Sequence, residues 1–403
     1  MAEDLDQRLD GVVIVEQPEL TPRRDLPAHR HLADSRWSDD QKQPHGRQQS
    51  QTPSPPCNQI RLALRENGGV ELFEKAPVRA SGMLPVGGVH QIYWEESGNP
   101  DGIPALYLHG GPGGSLNKGS YRTKFDPARF RIIGLDQRGC GRSTPRVTAP
   151  GYDLGENTTS LLIDDLERLR EHLGVERWLV NGVSWGSTLA LAYAQAHPNR
   201  VTAVVLMAVT TTDRFQVEWI TETVGAIYPE AWDRVAGHAE RAGVGYRRGE
   251  GRLIEAYARL MTHPDPAVRD AASYAWTAWE DSHVSIGNDA PPGGGHRDDT
   301  DHRHVFATLV THYWAHDAFL NPPILDRMDR VRHIPATLIH GRRDVSGPAV
   351  VPWRLHQKWP GSELIVVENE GHGGPTMVEA WCLANTRHAD RLEREPPATR
   401  RSN

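Results

Sequence analysis

The stretch that most constrains this 403-residue chain is Trp178-Leu179-Val180-Asn181-Gly182-Val183-Ser184-Trp185-Gly186-Ser187, followed by Thr188-Leu189-Ala190-Leu191-Ala192-Tyr193-Ala194. An apolar run of strand length enters Gly182-Val183-Ser184-Trp185-Gly186, and a run of good helix formers leaves it until His197-Pro198, where proline stops a helix. The expectation is a strand, a sharp turn carrying a serine, and a helix. Glycines on both flanks permit the tight bend. The helix N-terminus beyond it offers unpaired N–H groups and a positive dipole end, which suit a developing negative charge. G-x-S-x-G alone carries little weight, because a chain with 38 glycines in 403 residues yields roughly 0.1–0.2 chance matches. The flanking strand and helix supply the constraint.

The same alternation extends on both sides. Val89–Glu95 alternates like a strand, and Gly98-Asn99-Pro100-Asp101-Gly102 is a dense turn. A buried strand, Ala105–Leu108, runs into His109-Gly110-Gly111-Pro112-Gly113-Gly114, and Arg131–Leu135 runs into Asp136-Gln137-Arg138-Gly139-Cys140-Gly141-Arg142-Ser143. Asn157-Thr158-Thr159 caps a helix with Leu161, Leu162, Leu166, Leu169 and Leu173 on one face, and Val201–Met207 is another buried strand. Strand and helix in turn imply an α/β fold with a mostly parallel sheet covered by helices on both faces. From Thr211 to Val331 the pattern turns helical, with Trp219, Trp232, Trp276, Trp279 and Trp314 and an irregular Pro291–Gly295 loop. Strands return at Ala336–His340 and Glu363–Val367. A helical segment inserted between sheet strands is expected to form a cap over the strand ends, where open α/β sheets place their sites.

This divides the chain into a disordered extension over 1–73, a first core part over 74–210, a helical cap over 211–332, a second core part over 333–395 and a tail over 396–403. Polar and breaker residues dominate the extension, so it buries too little apolar surface to offset its ordering entropy. Its removal is expected to change little. The formal net charge of −7 argues against a nucleic-acid or anionic-membrane binder. No run reaches membrane-spanning length. Cys57, Cys140 and Cys382 leave an odd thiol, which fits a reducing, cytoplasmic setting better than a disulfide scaffold.

A serine hydroxyl needs a base to take its proton, and the base needs an acid to orient it. Asp344 lies just past one returning strand and His372 just past the other, and the order Ser184, Asp344, His372 is that of triads in α/β-hydrolases. The alternative readings are a turn residue for Asp344 and an ordinary loop histidine, one of 20, for His372. The glycine-rich loop after Leu108 can present a backbone N–H without side-chain obstruction. Gly111 and Trp185 are therefore the expected oxyanion donors. The loop lacks the Gly-Lys-Ser/Thr of a phosphate-binding loop. His296-Arg297-Asp298-Asp299-Thr300-Asp301-His302-Arg303-His304 invites a metal, but a mixed-charge exposed cap loop is the better reading because no apolar frame fixes such ligands.

Together, His109-Gly-Gly-Pro-Gly-Gly, Asp136-Gln-Arg-Gly-Cys-Gly-Arg-Ser, Gly182-Val-Ser-Trp-Gly-Ser-Thr-Leu-Ala-Leu-Ala-Tyr, Trp276-Thr-Ala-Trp-Glu280 and His340-Gly-Arg-Arg-Asp344 resemble the proline iminopeptidases (prolyl aminopeptidases) of the α/β-hydrolase fold. The resemblance runs from about Glu74 to about Asn385. It implies a serine peptidase that releases N-terminal proline from small peptides, with no metal and no cofactor, and it implies that Glu280 binds the substrate's α-ammonium group. An amidase or esterase of the same fold, acting on a small amine-bearing acyl group, is the alternative. The cap tryptophans are expected either to line a slot for the proline ring or to form the cap's own core. In one position the chain departs from the family. Ala307-Thr308-Leu309-Val310-Thr311-His312-Tyr313-Trp314 stands where many members carry Ala-Arg-Ile-Glu-x-His-Tyr-Phe, so Val310 replaces a second carboxylate. Glu280 is then left alone with the amine unless Asp281 or Glu222 substitutes, and Val310→Glu is expected to raise efficiency on free N-terminal proline.

Overall fold

The computed structural model describes residues 12–15, 72–284 and 298–394. Among the described residues nine strands form one sheet: β1 (Val12–Val15), β2 (Val78–Gly87), β3 (His90–Gly98), β4 (Ile103–Leu108), β5 (Phe130–Asp136), β6 (Trp178–Val183), β7 (Val201–Met207), β8 (Ala336–Gly341) and β9 (Ser362–Val367). Their order is β1-β9-β8-β7-β6-β4-β5-β3-β2. The six strands β4 to β9 are mutually parallel, whereas β3, β2 and β1 run antiparallel to their neighbours.

Period-two alternation sorts each parallel strand's side chains to two cores. Leu106, Val180, Val204, Leu206 and Leu338 face one cluster, and Ala105, Leu179, Ala203, Val205 and Ile339 face the other. Burial on both faces is why these strands read as continuous apolar runs. Helices α1 (Thr159–His172) and α2 (Trp185–Ala196) cover the first face. Thr158 caps α1 by accepting the Leu161 N–H. The last helix of the chain, α9 (Pro375–Arg394), covers the second face through Met377, Trp381, Ala384 and Ala389.

Between β7 and β8 lie α3 (Arg214–Thr221), α4 (Pro229–Arg241), α5 (Leu253–Met261), α6 (Pro266–Val284) and α7 (Thr300–Ala315), followed by short 3-10 turns to Val331. Helix α8 (Val350–Lys358) joins β8 to β9. The Pro291–Gly295 loop and the tail over 396–403 lie outside the described residues.

Two elements depart from the sequence reading. β2 begins at Val78 and pairs with β3 in a hairpin, ahead of Val89–Glu95, the first strand read from the sequence. It is an edge strand with mostly exposed or half-buried side chains and a register shift at Pro85, features that weaken an apolar signature and that only an edge tolerates. The other departure is β1. Most of the segment over 1–73 lies outside the described residues, but Val12–Val15 adds an antiparallel strand to the β9 edge, Val12 opposite Val367 and Val15 opposite Leu364. Four β-branched residues in an otherwise polar segment suffice when an open edge offers backbone partners.

Candidate active site

The sheet brings four strand ends together. β6 delivers Ser184, β4 the glycine loop, β8 Asp344 and β9 His372. At the elbow Ser184 has φ 53° and ψ −124°, a region a non-glycine residue enters at a cost of about 1–3 kcal/mol. Three hydrogen bonds hold it there: its N–H donates to Met207 O at 3.0 Å, and its carbonyl accepts from Ser187 N–H at 2.7 Å and Thr210 Oγ1 at 2.7 Å. The flanking glycines are sterically required. A Cβ on Gly182 would strike the Gly186 carbonyl, and one on Gly186 would strike the Leu108 carbonyl.

Ser184 Oγ lies 2.9 Å from His372 Nε2, and His372 Nδ1 lies 2.8 Å from Asp344 Oδ2. Asp344 is buried, and its Oδ1 accepts the Gly347 N–H at 2.9 Å. Burial alone would raise its pKa, but His372 and the hydrogen bonds it receives hold it below the usual carboxylate range. For His372 burial works downward, and Asp344, with Glu280 further off, more than offsets it, so the imidazolium is favoured. Sequence reasoning missed the support beneath this corner. His340 accepts the Val209 N–H on Nδ1 at 3.1 Å and donates from Nε2 to Gly347 O at 2.6 Å, which fixes a neutral ring under the Asp344 loop. Burial lowers its pKa in keeping with that.

Gly111 and Trp185 both line the cavity that Ser184 opens into. Gly111 has φ 118°, and a Cβ there would lie 2.6 Å from Gly113 N and 2.7 Å from Gly114 N. Trp185 opens α2, where first-turn amides have no intrahelical acceptor. Gln137 ties this loop to the elbow: its Nε2 donates to His109 O at 2.9 Å, and its Oε1 accepts the Trp185 indole N–H at 2.9 Å. The Asp136-Gln-Arg-Gly-x-Gly-x-Ser run is thus a brace. Asp136 accepts from Leu116 N and from Arg142 N and Nε, Arg138 pairs bidentately with Asp165, and Ser143 Oγ donates to Asp136 O.

The cavity measures about 280 Å³. Val217, Ile220, Phe306 and Trp314 make it largely apolar, and Glu280 is the one carboxylate on its wall among the described residues. Glu280 is 8% exposed and its Oε1 has no hydrogen-bond partner there. Burial pushes its pKa up to about 8, against the pull of His372. Of the cap tryptophans, Trp314 lines the cavity while Trp276 and Trp279 sit in the core behind it. Trp219 and Trp232 donate their indole N–H groups to the carbonyls of Val345 and Thr221.

Val310 is fully buried in the core and off the cavity wall, one turn from Phe306 and from Trp314 on α7. A glutamate there would enter the apolar core, which overturns the expectation that Val310→Glu would raise efficiency. Glu222 is engaged elsewhere, accepting the Leu253 N–H at 3.1 Å, and neither it nor Asp281 reaches the cavity wall. His296 and Arg297 lie outside the described residues. From Thr300 the expected loop is instead the start of α7, because Asp299 caps it by accepting the His302 N–H at 3.0 Å. Arg303 and His304 there bind Asp270.

A family model described as the alpha/beta hydrolase fold matches residues 104–374. A probable proline iminopeptidase of Streptomyces coelicolor is 46% identical over 315 residues, covering 76% of this chain and 94% of that protein. A proline iminopeptidase of Arabidopsis thaliana is 40% identical over 77% of this chain and 80% of its own length, and that of Neisseria gonorrhoeae is 42% identical over 75% and 94%. Among solved structures, a proline iminopeptidase of Mycobacterium smegmatis superposes with a TM-score of 0.55 at 20% identity, covering 78% of this chain and 100% of that one, which speaks for the fold alone. With the alpha/beta hydrolase match running from β4 through β9 and relatives above 40% identity over three quarters of its length, the chain belongs to the α/β-hydrolase fold and, within it, to the proline iminopeptidase family.

Proposed function

We propose that this chain is a serine aminopeptidase that releases N-terminal proline from small peptides through an acyl-enzyme, with Ser184, His372 and Asp344 as its triad. The observation that carries the proposal is the unbroken relay Asp344–His372–Ser184, at 2.8 and 2.9 Å, opening into a small apolar cavity whose wall holds one buried carboxylate. Ser184 Oγ attacks the scissile carbonyl as His372 Nε2 takes its proton, and Asp344 stabilises the imidazolium that forms. The Gly111 and Trp185 N–H groups receive the oxyanion. His372 then protonates the leaving amine, and water, activated by the same imidazole, hydrolyses the acyl-enzyme.

Glu280 sets the substrate's end. A cationic amine meets a carboxylate that has no other hydrogen-bond partner on that oxygen among the described residues, and such charge-assisted bonds are strong. The apolar wall suits a pyrrolidine ring. The helical segment over 211–332 acts as the cap that excludes water. Among the described residues Cys140 and Cys382 are free and buried, which suits a reducing compartment, and we place the protein in the cytoplasm. Among the described residues no helix is long and apolar enough to cross a membrane.

A panel of prolyl, alanyl and acetyl-prolyl anilides with simple esters tests the reading. The expected order puts prolyl anilide first by at least tenfold. Turnover of esters or acetyl-prolyl anilide at equal or greater efficiency would favour the amidase or esterase alternative.

A further inference from the structure

A second polar group on the cavity wall has no part in the mechanism above. His283 lies one turn beyond Glu280 on α6 and is 1% exposed. Its Nδ1 is 2.7 Å from Ser346 Oγ, while its Nε2 has no hydrogen-bond partner among the described residues. Nε2 stands 3.6 Å from Glu280 Oε2, beyond hydrogen-bond reach, and both residues line the cavity that holds Ser184. Two buried polar groups left unsatisfied side by side are costly. They make sense as a site that a ligand completes.

The imidazole's charge state decides what it can offer. Burial, reinforced by repulsion from His372, lowers the His283 pKa to about 3, so the ring is neutral and carries one donor and one acceptor nitrogen. In the tautomer whose Nδ1 proton goes to Ser346 Oγ, Nε2 presents a lone pair beside the Glu280 carboxyl group. The amine of an N-terminal proline is a secondary ammonium with two N–H bonds that diverge tetrahedrally. A carboxylate oxygen and an imidazole nitrogen on neighbouring turns of one helix can accept both. Once the bound ammonium favours the ionised form of Glu280, one anion and one neutral acceptor also match the single positive charge, where a second carboxylate would leave a buried negative charge over.

Building on the aminopeptidase reading, we infer that His283 Nε2 is the second acceptor for the substrate's secondary ammonium, so that Glu280 and His283 together select an amine bearing at least two N–H bonds. The acceptor absent at Val310 on α7 is thereby supplied from α6, the helix that already carries Glu280.

The test compares prolyl and N-methylprolyl anilides, the latter having a single ammonium N–H, on the full chain, His283→Asn and His283→Gln. Asparagine keeps an amide for Ser346 but has nothing at the position of Nε2, whereas glutamine can return a carbonyl acceptor. A serine-directed fluorophosphonate counts competent sites in each preparation, so a misfolded fraction drops out. His283→Asn should lose roughly ten- to a hundredfold in kcat/KM on prolyl anilide, mainly through KM, and little on the N-methyl substrate, with partial recovery in His283→Gln. An unchanged prolyl to N-methylprolyl ratio in His283→Asn, or an equal loss on both substrates, overturns the role given to His283 while leaving the aminopeptidase reading intact. Failure of the unaltered protein to cleave prolyl anilide overturns that reading and the role of His283 with it.

Discussion

The two walls of the cavity are built on opposite principles. On the sheet side, polar atoms are engaged in a chain of short hydrogen bonds that runs from Ser184 through His372 and Asp344 to Gly347 and His340. On the cap side, Glu280 Oε1, His283 Nε2 and, from α3, Gln216 Nε2 have no partner among the described residues. The side-chain relay of the sheet wall is complete without a ligand, as preorganised catalysis requires. The cap wall is incomplete, and its missing bonds describe the ligand: N–H donors for Glu280 Oε1 and His283 Nε2, an acceptor for Gln216 Nε2, and an otherwise apolar body.

The harshest way to break that contrast is to cut the sheet-side chain. Ser184→Ala or His372→Ala should lower kcat on prolyl anilide on the order of 10⁴-fold or more, because nucleophile and base act as one unit. Circular dichroism and melting temperature should stay close to those of the unaltered protein. Activity near the unaltered level in either variant would remove the triad.

Glu280→Gln probes the cap wall and should cost roughly ten- to a hundredfold in kcat/KM on prolyl anilide, with little effect on an amine-free acyl substrate. Its pH signature has a definite sign. A carboxyl whose pKa rises from 4.5 to about 8 on folding stays protonated in the empty site at neutral pH. Its contribution to stability is full below the unfolded value and is lost as pH rises through about 8. The melting temperature should therefore fall between about pH 5 and 8 in the unaltered protein and fall less in Glu280→Gln. The kcat/KM profile on prolyl anilide should carry a rising limb near pH 8 that the variant lacks.

A finer cut spares both walls and loosens the brace between them. Gln137→Leu leaves the His109 carbonyl and the Trp185 indole N–H unpaired. Burying two such groups costs about 1–3 kcal/mol each, so a drop of several degrees in melting temperature is expected together with a loss of about tenfold in kcat and little change in KM. A change in KM alone would place Gln137 with the cap wall.

The smallest effect is expected from deleting residues 1–17. The earlier expectation that this segment is dispensable gives way to a modest one, because the deletion uncovers the edge of β9, the strand that leads to His372. A melting temperature lower by a few degrees and a loss in kcat within about threefold should result. A collapse of activity would mean that the His372 loop depends on β1.

Ser184, Asp344 and His372 could be singled out in the chain because each lies within a few residues of the end of an apolar strand, and parallel strands buried on both faces announce themselves as short continuous hydrophobic runs. Chain order then pointed to one end of one sheet for the proposed nucleophile, acid and base. The glycine loop and the elbow were legible for a related reason: their glycines answer to backbone crowding, a local demand that leaves a local signature. His340, Gln137 and His283 carry no such mark. Each is an ordinary polar residue in a strand, a loop or a helix, and its role depends on which atoms of distant elements meet it, such as Val209 for His340, Trp185 for Gln137 and Ser346 for His283. The same holds for Val310, whose position suggested a missing ligand to the amine and whose packing makes it core. Periodicity and spacing determine which residues stand at the strand ends. Whether a buried polar atom is satisfied or left open is a property of all the neighbours packed around it, and only the tertiary structure decides that.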